Sequence, residues 1–236
     1  MDQTPELHPL KHGALFYNTP DERLQLLAEF FRSGLENEEL CILITPSTTD
    51  EVVQDLQTVG LNLQPYIKYG WLRVFNMLDT YISEGHFVSN YITNNLVSYV
   101  DDAKESGYKG IRMAGDMNWL HDYPDAHDEA VCYETGINDL SVGYPTFILC
   151  LFSMRDMTAS LAKNILARHP FFVYDGKQHD NPYYELPGAS PTTYTGTQAK
   201  KTSSSRAKET AAARQAIKKL LTSLNKVTDK SGTPYK

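Results

Sequence analysis

Catalysis or metal binding in an α/β protein needs acids, bases or soft ligands gathered at one place, and few groups in this chain are close together along the sequence. His121 and His127 flank Asp122, Asp125 and Asp128. Imidazole with carboxylate suits a divalent cation, but the same residue types are ordinary in a loop ahead of a helix, so this spacing alone assigns no metal. Asp116 follows the apolar run Gly110 to Ala114. It stands where α/β proteins often place a functional acid, and equally where a loop or helix cap needs one. Cys150 lies inside the apolar stretch Phe147 to Phe152 and predicts a packing role rather than a reactive thiol. Cys41, Cys132 and Cys150 have no CxxC spacing, which argues against a disulfide framework and against a structural zinc site. The expectation is no catalytic residue, no cofactor and no metal.

The larger motifs point the same way. Nucleotide hydrolysis on an α/β sheet requires GxxxxGK[ST] between the first strand and first helix, because backbone amides and a lysine must neutralise the phosphates. Phe16-Tyr17-Asn18-Thr19-Pro20 occupies that place, and the single Gly-Lys pair, Gly176-Lys177, is followed by Gln178. There is no GxGxxG, GxSxG or HExxH.

The elements that would position these residues can be read from periodicity. Gly13 to Tyr17 predicts a strand, and Thr19-Pro20-Asp21-Glu22 a helix start with Thr19 as N-cap. Leu24, Leu27, Ala28, Phe31 and Leu35 recur at helical spacing, and Leu40 to Ile44 is a continuous apolar run, as in a strand covered on both faces. A helix from Ser47 to Gly60, a strand at Trp71 to Phe75, and a helix from Ser89 to Ser106 closed by Gly107 follow. A strand at Gly110 to Ala114, a helix at Asp128 to Leu140, a strand at Thr146 to Phe152 and a helix at Ala159 to Ala167 complete the alternation, before His169 to Tyr174. This order predicts a three-layer α/β sandwich around a mainly parallel sheet, with a pocket beyond the carboxyl ends of its strands.

Charge divides the chain. Residues 1–196 carry 12 Lys+Arg and 27 Asp+Glu, while residues 197–236 carry 10 Lys+Arg and 2 Asp+Glu, so the acidic body repels nucleic acid and the tail attracts anionic partners. With 41% hydrophobic residues, no apolar stretch long enough to span a membrane and no secretion-signal pattern at the start, a cytoplasmic globular protein is expected. Residues 187–204 read as a linker, 205–228 as a basic amphipathic helix and 229–236 as a disordered end. In the tail, Ala213, Ile217, Leu220, Leu224 and Val227 form a short heptad seam, which docks on the body, self-associates or folds on a partner. Arg206, Lys208, Arg214, Lys218, Lys219 and Lys226 are the candidate contacts to a partner or to nucleic acid.

Several segments together resemble the MEDS family, the methanogen/methylotroph sensory domain. They are His12 to Tyr17 with Glu22, Phe30 to Leu35, Glu39 to Ile42, Gly107 to Trp119, Tyr133-Glu134, Leu149-Cys150 and His169-Pro170. The resemblance implies a non-hydrolysing RecA/KaiC-like core over about residues 8–186, which binds a small organic ligand or a protein and regulates a histidine kinase or transcription regulator. It also implies a recurrent polar set of His12, Tyr17, Arg112, Asp116, Trp119, Tyr133, Glu134 and His169. Tyr17, Asp116 and Trp119 are expected at the pocket, with Trp119 as its apolar wall. Arg112 either clamps an anion or pairs with Glu134 inside the fold, and His169 bonds a backbone group. The alternatives are an enzyme of unknown class using Asp116, Glu134 or His169, and a DNA-associated regulator acting through the tail.

Overall fold

The computed structural model describes residues 12–83, 86–140, 144–155, 157–185 and 203–228. Strand β1 (His12–Tyr17) runs into helix α1 (Pro20–Glu36), whose start is set by Thr19: its hydroxyl accepts from the Glu22 N–H at 3.2 Å, with Pro20 at the first helical position. Strand β2 (Leu40–Thr45) leads to α2 (Thr49–Thr58), which is opened by a reciprocal Thr48–Glu51 capping box and closed at Gly60, where φ is 80°. The short helix α3 (Gln64–Lys68), strand β3 (Leu72–Asn76), short helix α4 (Met77–Tyr81) and the small ladder of β4 (Ile82–Ser83) with β5 (His86–Phe87) precede α5 (Ser89–Glu105). Then come β6 (Ile111–Asp116), two single turns of 3₁₀ helix, α6 (His127–Leu140), β7 (Thr146–Ser153) and α7 (Ala159–Arg168). Strands β8 (Phe171–Tyr174) and β9 (Lys177–Asp180) and helix α8 (Ser203–Thr228) complete the order.

The seven-stranded sheet has the order β3-β2-β6-β7-β1-β8-β9, parallel except for the β8–β9 pair. The antiparallel edge arises from Asp175-Gly176, both at positive φ (49° and 67°), the backbone of a two-residue hairpin turn whose twist matches the flanking strands. Because side chains alternate along a strand, residue parity assigns each to a layer. Ala14, Phe16, Ile42, Ile44, Met113, Ile148, Cys150 and Phe152 face the layer containing α5, α6, α7 and α8. Leu15, Tyr17, Cys41, Leu43, Ala114, Leu149 and Leu151 face α1 and α2. The predicted three-layer α/β fold with a mainly parallel sheet is therefore the observed one.

The tail helix docks on the body. Ala213, Ile217, Leu220 and Leu224 are buried in the same core as Phe172 and Tyr174, which settles the choice left open for the seam. Self-association through these four side chains is not compatible with that docking, since the chain's own core covers them. Lys219 pairs with Asp175, so it is tied to the body rather than free for a partner, while Arg214 and Lys218 are exposed. The side chains of Arg206, Lys208, Lys226 and Val227, the linker up to 202 and the end 229–236 lie outside the described residues.

Candidate functional site

The recurrent polar residues divide between the two faces of the sheet, and the parity of the strands is the reason. On the α1 side, β6 presents Arg112, Ala114 and Asp116. Arg112 is buried, and it donates to Glu39 through Nε at 2.7 Å and Nη2 at 3.3 Å and to the Phe30 carbonyl at 3.0 Å, with its guanidinium 5.0 Å from the ring centres of both Phe30 and Phe147. The expected internal ion pair exists, but its partner is Glu39. Glu134 lies across the sheet, on α6, and cannot be reached from an even position of β6.

At the carboxyl edge of the same face, Asp116 Oδ2 is 3.3 Å from the Arg23 guanidinium. Asn118, two residues beyond the strand, donates through Nδ2 to Asp116 Oδ1 at 2.5 Å and to the Tyr17 hydroxyl at 2.6 Å, and accepts from the Ser153 N–H at 2.6 Å. Burial pushes the Asp116 carboxyl up from its ordinary value, against the pull of Arg23 and Asn118. Tyr17 and Asp116 thus meet at the edge as expected, yet their polar atoms serve an internal network. Trp119 is on the opposite face, buried and packed against Tyr81, Phe87 and Tyr123 with ring centres 4.7–6.0 Å apart, so these three residues do not wall one open pocket. Tyr133 joins this aromatic group through Tyr81 and Phe87, and the buried Trp119 indole Nε1 has no hydrogen-bond partner among the described residues. An open groove lies elsewhere, between the ends of α1 and α2, lined by Arg32, Leu35, Glu36, Leu61, Asn62 and Tyr66.

The remaining members converge on the α6 face. His12 opens β1, Cys150 is on the adjacent β7, Glu134 is on α6, and His169 caps the C-terminus of α7 just before β8. Glu134 Oε2 is 3.0 Å from His12 Nε2, 3.2 Å from His169 Nε2 and 3.6 Å from Cys150 Sγ; His12 Nε2 is 3.3 Å from the same sulfur. The two imidazoles lie 4.2 Å apart, and all four residues are at most 5% exposed. Their outer nitrogens are committed: His12 Nδ1 is 3.3 Å from Asn138 Oδ1, and His169 Nδ1 is 2.7 Å from the Ile165 carbonyl, the backbone bond expected of His169. Asn138 is oriented in turn by donating to the Glu134 and Arg168 carbonyls. Burial alone would raise the Glu134 carboxyl, but His169 and His12 beside it outweigh that and hold it well below the usual carboxylate range. Burial, then His169, pushes the His12 imidazole down, and burial with Glu134 pushes the Cys150 thiol up. Cys150 thus packs in the core as its apolar strand predicts, and its sulfur also borders the polar cluster. Of the local His/Asp group, His121 is exposed and bonds Asp122, while the side chains of His127 and Asp128 lie outside the described residues.

Sequence reasoning missed Glu39, Arg23 and Asn118 as partners. Glu39 and Asn118 lie within the segments quoted for the family resemblance, but nothing in their spacing tells which side chain each one meets.

Comparison with known proteins agrees with this architecture. Residues 11–170 match the family model described as "MEthanogen/methylotroph, DcmR Sensory domain". The chain is 26% identical over 160 residues to the transcriptional repressor DcmR of Methylorubrum extorquens, covering 67% of this chain and 57% of that protein, so it spans little more than half of that relative's length. Among solved structures, a KaiC-like protein of Pyrococcus horikoshii aligns at 9% identity over 68% of this chain and 70% of that one, with a TM-score of 0.50. An uncharacterized Pyrococcus horikoshii protein solved with an unknown peptide aligns at 13% identity over 69% and 76%, also at 0.50. Both show a shared RecA/KaiC-like fold, and with the family match covering most of the described body, this chain belongs to the MEDS sensory-domain family.

Proposed function

We propose that the chain is a regulatory sensory protein that works by binding and not by chemistry, taking up a small organic molecule and passing its state to a signalling or transcription component. The observation that carries this reading is the turn after β1. There Glu22 Oε2 accepts from the Asn18 backbone N–H at 2.8 Å and from Asn18 Nδ2 at 3.2 Å. A phosphate-binding sheet aims free amides at the ligand from this turn, and a carboxylate already seated on the amide repels a phosphate instead. The aromatic group of Tyr81, Phe87, Trp119, Tyr123 and Tyr133 supports the ligand class. These rings pack on one another, so an apolar molecule with a single acceptor would have to part them, and it would then meet the Trp119 N–H, which has no partner among the described residues. The DcmR relative is a transcriptional repressor by name, which favours transcription as the output.

The test is calorimetric titration of the full chain with Mg-ATP, alongside tryptophan-fluorescence titration with a panel of small alcohols, ketones and haloalkanes. No heat with Mg-ATP, and a saturable fluorescence change that Trp119→Phe removes, are the expected results. ATP turnover abolished by Asp116→Ala would replace this reading with an enzymatic one. A second reading, contact with nucleic acid through the tail, draws on the exposure of Arg214 and Lys218 on the outer side of docked α8. It requires salt-dependent binding to duplex DNA that Arg214→Ala/Lys218→Ala weakens.

A further inference from the structure

We propose that His12, Glu134, Cys150 and His169 form a closed site for one divalent transition-metal ion of the zinc type, held by His12 Nε2, His169 Nε2, Cys150 Sγ and Glu134 Oε2.

The geometry is metal-sized. The four ligand atoms all lie within 4.8 Å of one another, and four of their six separations, 3.0, 3.2, 3.3 and 3.6 Å, bracket the edges of a tetrahedron about a zinc ion. Zn–N and Zn–O bonds of about 2.0–2.1 Å and a Zn–S bond of about 2.3 Å give edges of roughly 3.3–3.6 Å. Two imidazoles, a thiolate and a carboxylate make a donor set suited to zinc, with cobalt as its spectroscopic stand-in.

Proton placement argues the same way. A backbone carbonyl can only accept, so His169 Nδ1 carries a hydrogen toward Ile165, and Asn138 turns its Oδ1 toward His12 Nδ1 while its Nδ2 donates elsewhere. With both rings neutral, the His12 Nε2 lone pair faces the carboxylate oxygen and the sulfur, and the His169 Nε2 lone pair faces the carboxylate oxygen. Among the described residues, fully buried His169 Nε2 has no hydrogen-bond partner despite lying 3.2 Å from Glu134 Oε2, and Glu134 Oε1 has none either. In that neutral form lone pairs face lone pairs in a dry interior, and either a proton on the imidazoles or one metal cation between the four groups relieves the contact. A divalent ion balances one carboxylate and one thiolate to zero, the arrangement burial tolerates best. Asn138 and the Ile165 carbonyl are the outer partners that fix imidazole orientation at metal sites. With four protein ligands and no open position, the ion would clamp β1, β7, α6 and the α7–β8 junction together and carry no substrate.

This site is separate from the aromatic group proposed for the ligand, so either assignment can fail without the other. The experiment is elemental analysis of the full chain purified without chelator, followed by cobalt substitution. The expected result is about one ion per chain that survives gel filtration. The cobalt form should show tetrahedral visible bands and a thiolate charge-transfer band, the latter lost in Cys150→Ser. Asn138→Ala, which alters an outer partner only, should weaken zinc affinity by roughly 10–100-fold. If a ligand variant fails to fold, the wild type still decides, because unfolded chain refolded with zinc or cobalt either takes up an ion or does not. Folded, metal-free wild type that takes up neither ion overturns the proposal, as does bound metal that Cys150→Ser leaves with an unchanged absorption spectrum.

Discussion

Arg112 shows what a single charge costs and contributes in this interior. Its guanidinium is bidentate to Glu39 and lies beside two aromatic rings, with both members of the ion pair buried. Arg112→Met leaves Glu39 buried and unpaired and should destabilise the fold by about 3–5 kcal/mol in urea unfolding. The double variant Arg112→Met/Glu39→Gln should recover much of that loss, since the residual charge disappears. Asp116 gives a pH-dependent counterpart. Its folded carboxyl is raised above the unfolded value by burial, so the folded state binds the proton more readily. The associated stability is present below the unfolded pKa and is lost as pH rises through the folded one. Urea melts of wild type and Asp116→Asn at a series of pH values should show wild type gaining on the variant as pH falls through the carboxylate range. A gap that closed on acidification would mean that the Arg23 pairing dominates. The type of residue at 112 and 116 was legible from the sequence, but the partners Glu39 and Arg23 were not, because each comes from another element.

At the scale of elements, local chemistry explains most starts and stops. Thr48 and Glu51 satisfy each other's backbone groups at the start of α2, and Thr48→Ala should cost about 0.5–2 kcal/mol by thermal or urea unfolding. Gly13 is constrained from outside its strand: a Cβ there would lie 2.1 Å from the Phe171 ring of β8. Gly13→Ala should therefore force that ring aside and destabilise by about 1–3 kcal/mol, measurable in the same melts. The predicted long helices and core strands match the observed ones, since apolar periodicity and capping are signals carried within ten or twenty residues, whereas α3, α4 and the β4–β5 ladder are too short to carry such a period. Periodicity does not assign the β8–β9 hairpin, although Asp175-Gly176 is a strong turn signal. β9 has little apolar alternation to mark it as a strand.

Over the whole molecule, the tail is a structural part of the body. Leu220 is fully buried against the core, so Leu220→Ala should cost about 2–5 kcal/mol, while exposed Lys218→Ala should stay within about 0.5 kcal/mol. Equal effects in the two variants would mean that α8 is undocked in solution. The basic helix was legible from composition and spacing, but a heptad seam reads the same whether it meets its own core or a second chain. By itself, the sequence determined the alternation of strands and helices, the capped turn where a phosphate loop would stand, the division of charge and the family. All of these are written in neighbouring residues or in their order. The tertiary structure alone decided which residues meet. With β1 between β7 and β8, His12, Glu134, Cys150 and His169 are drawn together from positions spread over most of the body. Strand parity sends Arg112 and Asp116 to the other face, and no spacing along the chain encodes that choice, because strand order is set by burial of both sheet faces at once.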